Sequence, residues 1–154
     1  MFKQLKHCLS GPLAVIFTQL LSVAAVPDVW KTATITPVFE KGAAGEVSNY
    51  RPISLTCVCC KLMERVVAQQ MYRHFLSNRI LHHAQHGFVK GRSTCTNLLE
   101  SVNNWTLSLQ YKRGVTVAYI DFSKAFDTVS HAKLFHRLNS YGITGSLLNW
   151  LRNL

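Results

Sequence analysis

The stretch Val115 to Ile120, β-branched and aromatic in character, constrains this chain more than any other. Five of its six residues are of that kind, which predicts a strand, and a strand has to find a neighbour for its backbone donors and acceptors. It ends in a carboxylate, Asp121, and a second one, Asp127, follows in VAYIDFSKAFDTVSH. Desolvating a carboxylate is costly unless a partner or a metal compensates. Either Asp121 stands at the exposed end of the strand and caps the turn beyond it, or it has a cation.

The rest of the chain reads mostly as helix with short strands. PLAVIFTQLLSVAAV predicts a buried helix entered at Pro12, whose missing N–H does no harm in a first turn. It is shorter than the roughly 20 apolar residues of a membrane span, Thr18 and Gln19 interrupt it, and no cleavage pattern follows. Neither a signal peptide nor a transmembrane segment is expected, and the setting is expected to be intracellular, nuclear or cytoplasmic. Residues 33 to 39 predict a strand, at an edge because Pro37 cannot donate to a ladder. A second short strand is expected near 51 to 55, since Pro52 biases Arg51 away from helix.

Thr56 is the candidate cap of a helix with Leu62, Val66, Met71 and Phe75 at helical spacing, fading at SNRIL. A Gly-punctuated loop, HHAQHGFVKGRS, leads to Thr94, the expected N-cap of a helix through Leu98, Leu99, Val102 and Trp105. That helix is expected to end near Lys112 to Gly114. Ser130 is read as the cap of a helix carrying Leu134, Leu138 and Tyr141, stopped by Gly142, and ITGSLLNWLRNL starts one more.

At 154 residues, 48% of them hydrophobic, the chain has material for one domain or part of one. Lys and Arg total 17 against 7 Asp and Glu, a net charge of +10, which suits a polyanionic partner and equally a merely basic surface. The acids are unevenly spread: none lies between Glu64 and Glu100, where Arg65, Arg73, Arg79, Lys90 and Arg92 fall. That segment is the candidate phosphate-facing surface. Five cysteines, an odd count without a secreted framework, point to a reducing compartment.

Five elements, VPDVWKTATITPVFEKG, SNYRPISLTCVCCKLMERV, QHGFVKGRSTCTNLL, VAYIDFSKAFDTVSH and YGITGSLLNWL, occur in this order and at these intervals. Together they resemble the reverse transcriptase (RNA-directed DNA polymerase) of non-LTR, LINE-type retrotransposons, over about Pro12 to Leu154. The resemblance implies an α/β (α+β) fold, the fingers and part of the palm of a right-hand polymerase. It is mainly helical, and its palm sheet is incomplete. Residues 1–114 correspond to the fingers and 115–154 to the partial palm.

The same resemblance implies an RNA template, a DNA primer and deoxynucleoside triphosphates as partners. It implies Mg²⁺ or Mn²⁺ as cofactor, two ions clamping an in-line phosphoryl transfer. Asp121 matches the first palm carboxylate, catalytic and metal-binding, and Phe122 lends a backbone carbonyl to the metal and lies at the nucleotide. Phe126 matches the position of sugar selection; the alternative for both phenylalanines is packing. Arg51 in NYRPISL matches the fingers arginine that grips the triphosphate; the alternative is a surface arginine paired with Glu46 or Glu40. Lys41 stands where the family has consecutive basic residues, and Glu40 replaces one of them. Lys90, Arg92 and Lys124 suit template or primer phosphates and equally suit solvated loops. Asp127 is read as structural, bonding amides around Thr128 to Ser130.

The second palm box, aromatic-Ala-Asp-Asp, does not occur, and no acidic residue follows Asp127. The expectation is a truncated copy that does not hold the ions or polymerise alone. The alternatives are a non-catalytic nucleic-acid-binding remnant and an inert transposon-derived remnant. Zinc at Cys57, Cys59 and Cys60 with His82, His83 and His86 is set aside for want of C-x-x-C knuckles. VKGRST lacks the order of a phosphate loop. Asp121 is expected to face a solvent-open groove shared with Arg51.

Overall fold

The computed structural model describes residues 6–122 and 125–154. Among these, the helices are α1 (Lys6–Ser22), α2 (Val58–Ser77), α3 (Thr94–Gln110), α4 (His131–Ser140) and α5 (Gly145–Asn153), and the strands are β1 (Thr34–Phe39) and β2 (Tyr50–Leu55). The chain packs as two compact units, Met1–His74 with His131–Leu154, and Phe75–Ser130. In the first unit α5 packs against α1 and α4.

The first unit closes around Val26, Trp30, Cys60, Met63, Val67 and Trp150, flanked by Phe17, Leu20, Leu21 and Leu147. Trp150 and Cys60 are wholly buried and Met63 nearly so. Phe17 meets the Trp30 ring edge-on at 6.2 Å. Asn153 donates from Nδ2 to the Ala24 carbonyl at 2.8 Å, fixing the end of α5 to the end of α1. Gly142, at a φ of +87°, ends α4. The neighbouring Tyr141 carbonyl lies 2.7 Å from His74 Nε2 on α2.

Three details correct the sequence reading of these helices. α1 begins ahead of Pro12, which lies inside it. Only one stripe of α1, Leu9, Leu13, Phe17, Leu20 and Leu21, is half-buried, so the helix is a cover on the core and not a buried rod. On α2 the buried line is Cys60, Met63 and Val67 instead of Leu62 and Val66, with Val66 left exposed. Both lines have helical spacing, so periodicity does not choose between them.

β1 and β2 form an antiparallel hairpin, with Val38 opposite Arg51, Phe39 opposite Tyr50 and Pro37 opposite Pro52. Both strands are edges of a two-stranded sheet, which accommodates the two prolines. The intervening loop is clamped from within: Glu40 donates its backbone N–H to the Asn49 carbonyl at 2.9 Å. Asn49 Nδ2 reaches Ala43 at 2.9 Å and the Tyr50 hydroxyl reaches Ala44 at 2.8 Å. Gly42 at φ +93° fits because a Cβ there would meet the Asn49 amide at 2.6 Å.

In the second unit the N-cap of α3 is Ser93, not Thr94. Ser93 accepts from the Thr96 N–H while Thr96 Oγ1 accepts from the Ser93 N–H, a reciprocal cap. It stops where Lys112 takes a positive φ of 55°. The expected strand at 115–121 does not form. Residues 115–122 carry no strand pairing, and all are exposed. β1 pairs with β2 and with nothing else among the described residues, so this segment has no ladder to join.

Candidate functional site

In the first unit the hairpin carries two of the expected nucleotide contacts. Its register brings Arg51 on β2 beside the end of β1, where the Arg51 guanidinium forms an ion pair with the Glu40 carboxylate. This is one of the two partners weighed from the sequence. The fork of donors is therefore engaged by an acid of the same hairpin. Lys41, in the adjoining loop, is exposed. Phe39 and Tyr50 stack edge-to-face at 5.4 Å, which fixes the strand ends that present both charges.

The second unit holds the remaining expected contacts. Asp121 is exposed, as are Phe122 and Phe126. Lys124 lies outside the described residues. Phe126 meets Phe88 edge-on at 6.1 Å, so two of the five sequence elements, QHGF and DFSKAFD, touch through their aromatic residues. Phe88 holds a positive φ of 59°, uncommon for so bulky a residue, and it is 90% exposed.

The loop before α3 is built on two side chains. His86 lies between Thr96 Oγ1 and Glu100 Oε2 on α3, 2.9 Å from each, and is largely buried. Arg92 turns back on its own loop and donates from Nη1 to the carbonyls of Gln85, at 3.0 Å, and His83. The guanidinium expected to meet phosphate thus organises the loop, while Lys90 is exposed on it. The structural use of His86 and Arg92 was hidden in the sequence; the only signal was their place in a Gly-punctuated loop just ahead of a capped helix.

Among the described residues no three or more His, Cys, Asp or Glu side chains come together as a metal-holding group. Asp121 with the Phe122 carbonyl offers one carboxylate and one neutral oxygen, and a two-ion centre needs more charge than that. These described residues do not by themselves fit the ion pair that the resemblance implies. Among the described residues no helix is long and apolar enough to cross a membrane.

The family pattern of reverse transcriptase (RNA-dependent DNA polymerase) matches residues 39–154. The chain is 32% identical over 143 residues to a probable RNA-directed DNA polymerase from transposon BS of Drosophila melanogaster, covering 88% of this chain and 16% of that protein. It is 30% identical over 126 residues to the RNA-directed DNA polymerase from mobile element jockey of the same organism, 81% of this chain and 14% of that protein. It is 28% identical over 126 residues to the retrovirus-related Pol polyprotein from type-1 retrotransposable element R2 of Popillia japonica, 82% of this chain and 17% of that one. It spans about one-sixth of the length of these relatives.

Proposed function

From the premise that the chain belongs to the reverse transcriptase (RNA-dependent DNA polymerase) family, we propose that it supplies the fingers and the first palm segment of a non-LTR retrotransposon polymerase. Residues 1–114 serve as fingers and 115–154 as the palm segment. The observation that carries this reading is the family match across 39–154, which takes in Arg51, Lys41, Lys90, Arg92 and Asp121 together.

In this reading Asp121 is the first catalytic carboxylate, open to solvent. The Phe122 backbone carbonyl adds the neutral oxygen. Phe126, braced by Phe88, borders the sugar of an incoming nucleotide. Arg51 leaves Glu40 for the triphosphate, beside which Lys41 lies, and Lys90 and Lys124 follow the template and primer backbones. RNA template, DNA primer and deoxynucleoside triphosphates are the ligands. The activity of the 154 residues alone is limited by carboxylates: Asp121 has no second metal-binding acid beyond Asp127 in this sequence. Nucleic-acid binding without polymerisation is therefore what these residues perform unaided, favoured by the net charge of +10.

Primer extension on an RNA template with Mg²⁺ or Mn²⁺, beside an Asp121→Asn control, tests this. The expected result is no extension by either protein, together with RNA binding that weakens steeply as salt rises. Extension by the wild type alone would overturn the carboxylate argument. RNA binding absent at every salt concentration would overturn the binding role.

A further inference from the structure

One phenylalanine in the loop before α3 is held in a backbone conformation that favours glycine while its ring stands in water. Phe88 takes a φ of +59° and is almost wholly exposed. The left-handed region strains a bulky side chain, and burial of the ring does not offset that strain here. The loop is fixed on both sides of it. His86 reaches Thr96 Oγ1 and Glu100 Oε2 on α3, and Arg92 donates to the Gln85 and His83 carbonyls. Directly after the ring, the Val89 carbonyl accepts the Arg92 N–H at 3.1 Å and closes a turn. These bonds hold an aromatic side chain out from the surface, and a strained residue so over-determined by its surroundings points to a function for the side chain.

The chemistry around the ring says what it meets. Phe126 lies at 89° to Phe88 with centroids 6.1 Å apart. Whichever of the two rings offers its edge, at least one face of Phe88 stays open. Residues 65–99 contain no acid, Lys90 and Arg92 follow Phe88 in the same loop, and the Glu100 carboxylate is engaged by His86. An open aromatic face on a basic, acid-free segment is the combination that holds single-stranded nucleic acid, with phosphates along the charge and bases on the ring.

We propose that Phe88 is a base-stacking residue: an unpaired base of a single-stranded RNA lies on the open face of its ring, which Phe126 braces at right angles. The proposal rests on the nucleic-acid-binding reading above and adds to it a contact with bases, where Lys90 and Lys124 meet only the backbone. Stacking tolerates any base, since each has a π face, so this contact favours unpaired strands over duplexes, whose bases are already stacked.

The test is an anisotropy titration of the folded chain with two labelled single strands of equal length, oligo(U) and its abasic ribose-phosphate counterpart. The wild type is expected to bind oligo(U) at least about fivefold more tightly than the abasic strand. Phe88→Gly suits the positive φ, so it should keep the helix content of the wild type while its affinity for oligo(U) falls to that for the abasic strand. Phe88→Tyr should keep the discrimination, and Phe88→Leu, apolar without a π face, should lose it. Ultraviolet crosslinking of oligo(U) to the wild type, mapped by mass spectrometry, should fall on Phe88. Equal affinity of the wild type for both strands, with salt-dependent binding intact, overturns the proposal alone and leaves the ring for a protein partner. Discrimination that survives in Phe88→Gly overturns it as well. Binding of neither strand at any salt concentration overturns it together with the reading it rests on.

Discussion

Replacing Glu40 with glutamine isolates what Arg51 does when no carboxylate holds it. The pair is exposed, with 69% of the Arg51 side chain and 44% of the Glu40 side chain open to water. Two charges in contact attract by about 1 kcal/mol in such a medium, and exposed pairs net roughly 0.2–1 kcal/mol of stability. The urea midpoint should therefore barely move. A triphosphate that takes Arg51 has to displace that carboxylate and then tolerate its charge. Relief of about 1 kcal/mol corresponds to about fivefold in affinity, since 1.4 kcal/mol is tenfold. The assay is an anisotropy titration with a fluorescent deoxynucleoside triphosphate for wild type, Glu40→Gln, Arg51→Ala and the double variant. The expected result is a gain of up to about fivefold from Glu40→Gln that vanishes in the Arg51→Ala background and shrinks with added salt. An equal gain in both backgrounds would mean that Glu40 acts only through net charge, and the assignment of Arg51 would fail.

Trp150 is wholly buried in the first unit, and its Nε1 has no hydrogen-bond partner among the described residues. Trp150→Ala should cost about 3–5 kcal/mol in urea denaturation. Trp150→Phe should cost much less, because it removes an unpartnered donor whose burial costs about 1–3 kcal/mol; equal losses would contradict the unpartnered N–H. In the second unit His86→Ala removes both links from the loop to α3. Trypsin should then cut at Lys90 and Arg92 several-fold faster, and an unchanged cleavage rate would show that Arg92 holds the loop without His86.

The helices were legible because their signals are local. Spacing, caps and stops located α2, α3, α4 and α5 within a residue or two, and the exchange of Thr94 for Ser93 as cap followed from a reciprocal bond that needs the neighbouring Thr96. The two strands were legible too, through Pro37, which confines the first to an edge, and Pro52, which turns Arg51 away from helix, whereas their pairing into a hairpin was not. The core was not. Trp150 joins Cys60 and Met63 across most of the chain, and no local period announces which of two equally spaced stripes on α2 will face it. At the site, residue type pointed to Arg51 and Arg92 as cations and offered Glu40 as one of two partners for Arg51, while the turn that brings Arg92 to the Gln85 carbonyl is displayed only by the folded chain.

The stretch Val115 to Asp121 failed as a strand for a reason that bears on its chemistry. A strand is a property of a pair, and the sequence pattern describes one member of it. Without a neighbour the segment lies in water: Tyr119 is 86% exposed, Ile120 78% and Phe122 75%. Asp121 is exposed with them, so its charge is solvated and asks for no cation. Pairing this segment into a sheet would bury its apolar side chains and draw Asp121 toward a drier setting, where a lone carboxylate becomes costly. On the proposed role of Asp121 as a metal ligand, metal affinity and completion of the sheet would be two sides of one linkage: whatever supplies the neighbouring strand would also raise the pull on a divalent ion, and the ion would in turn stabilise the pairing.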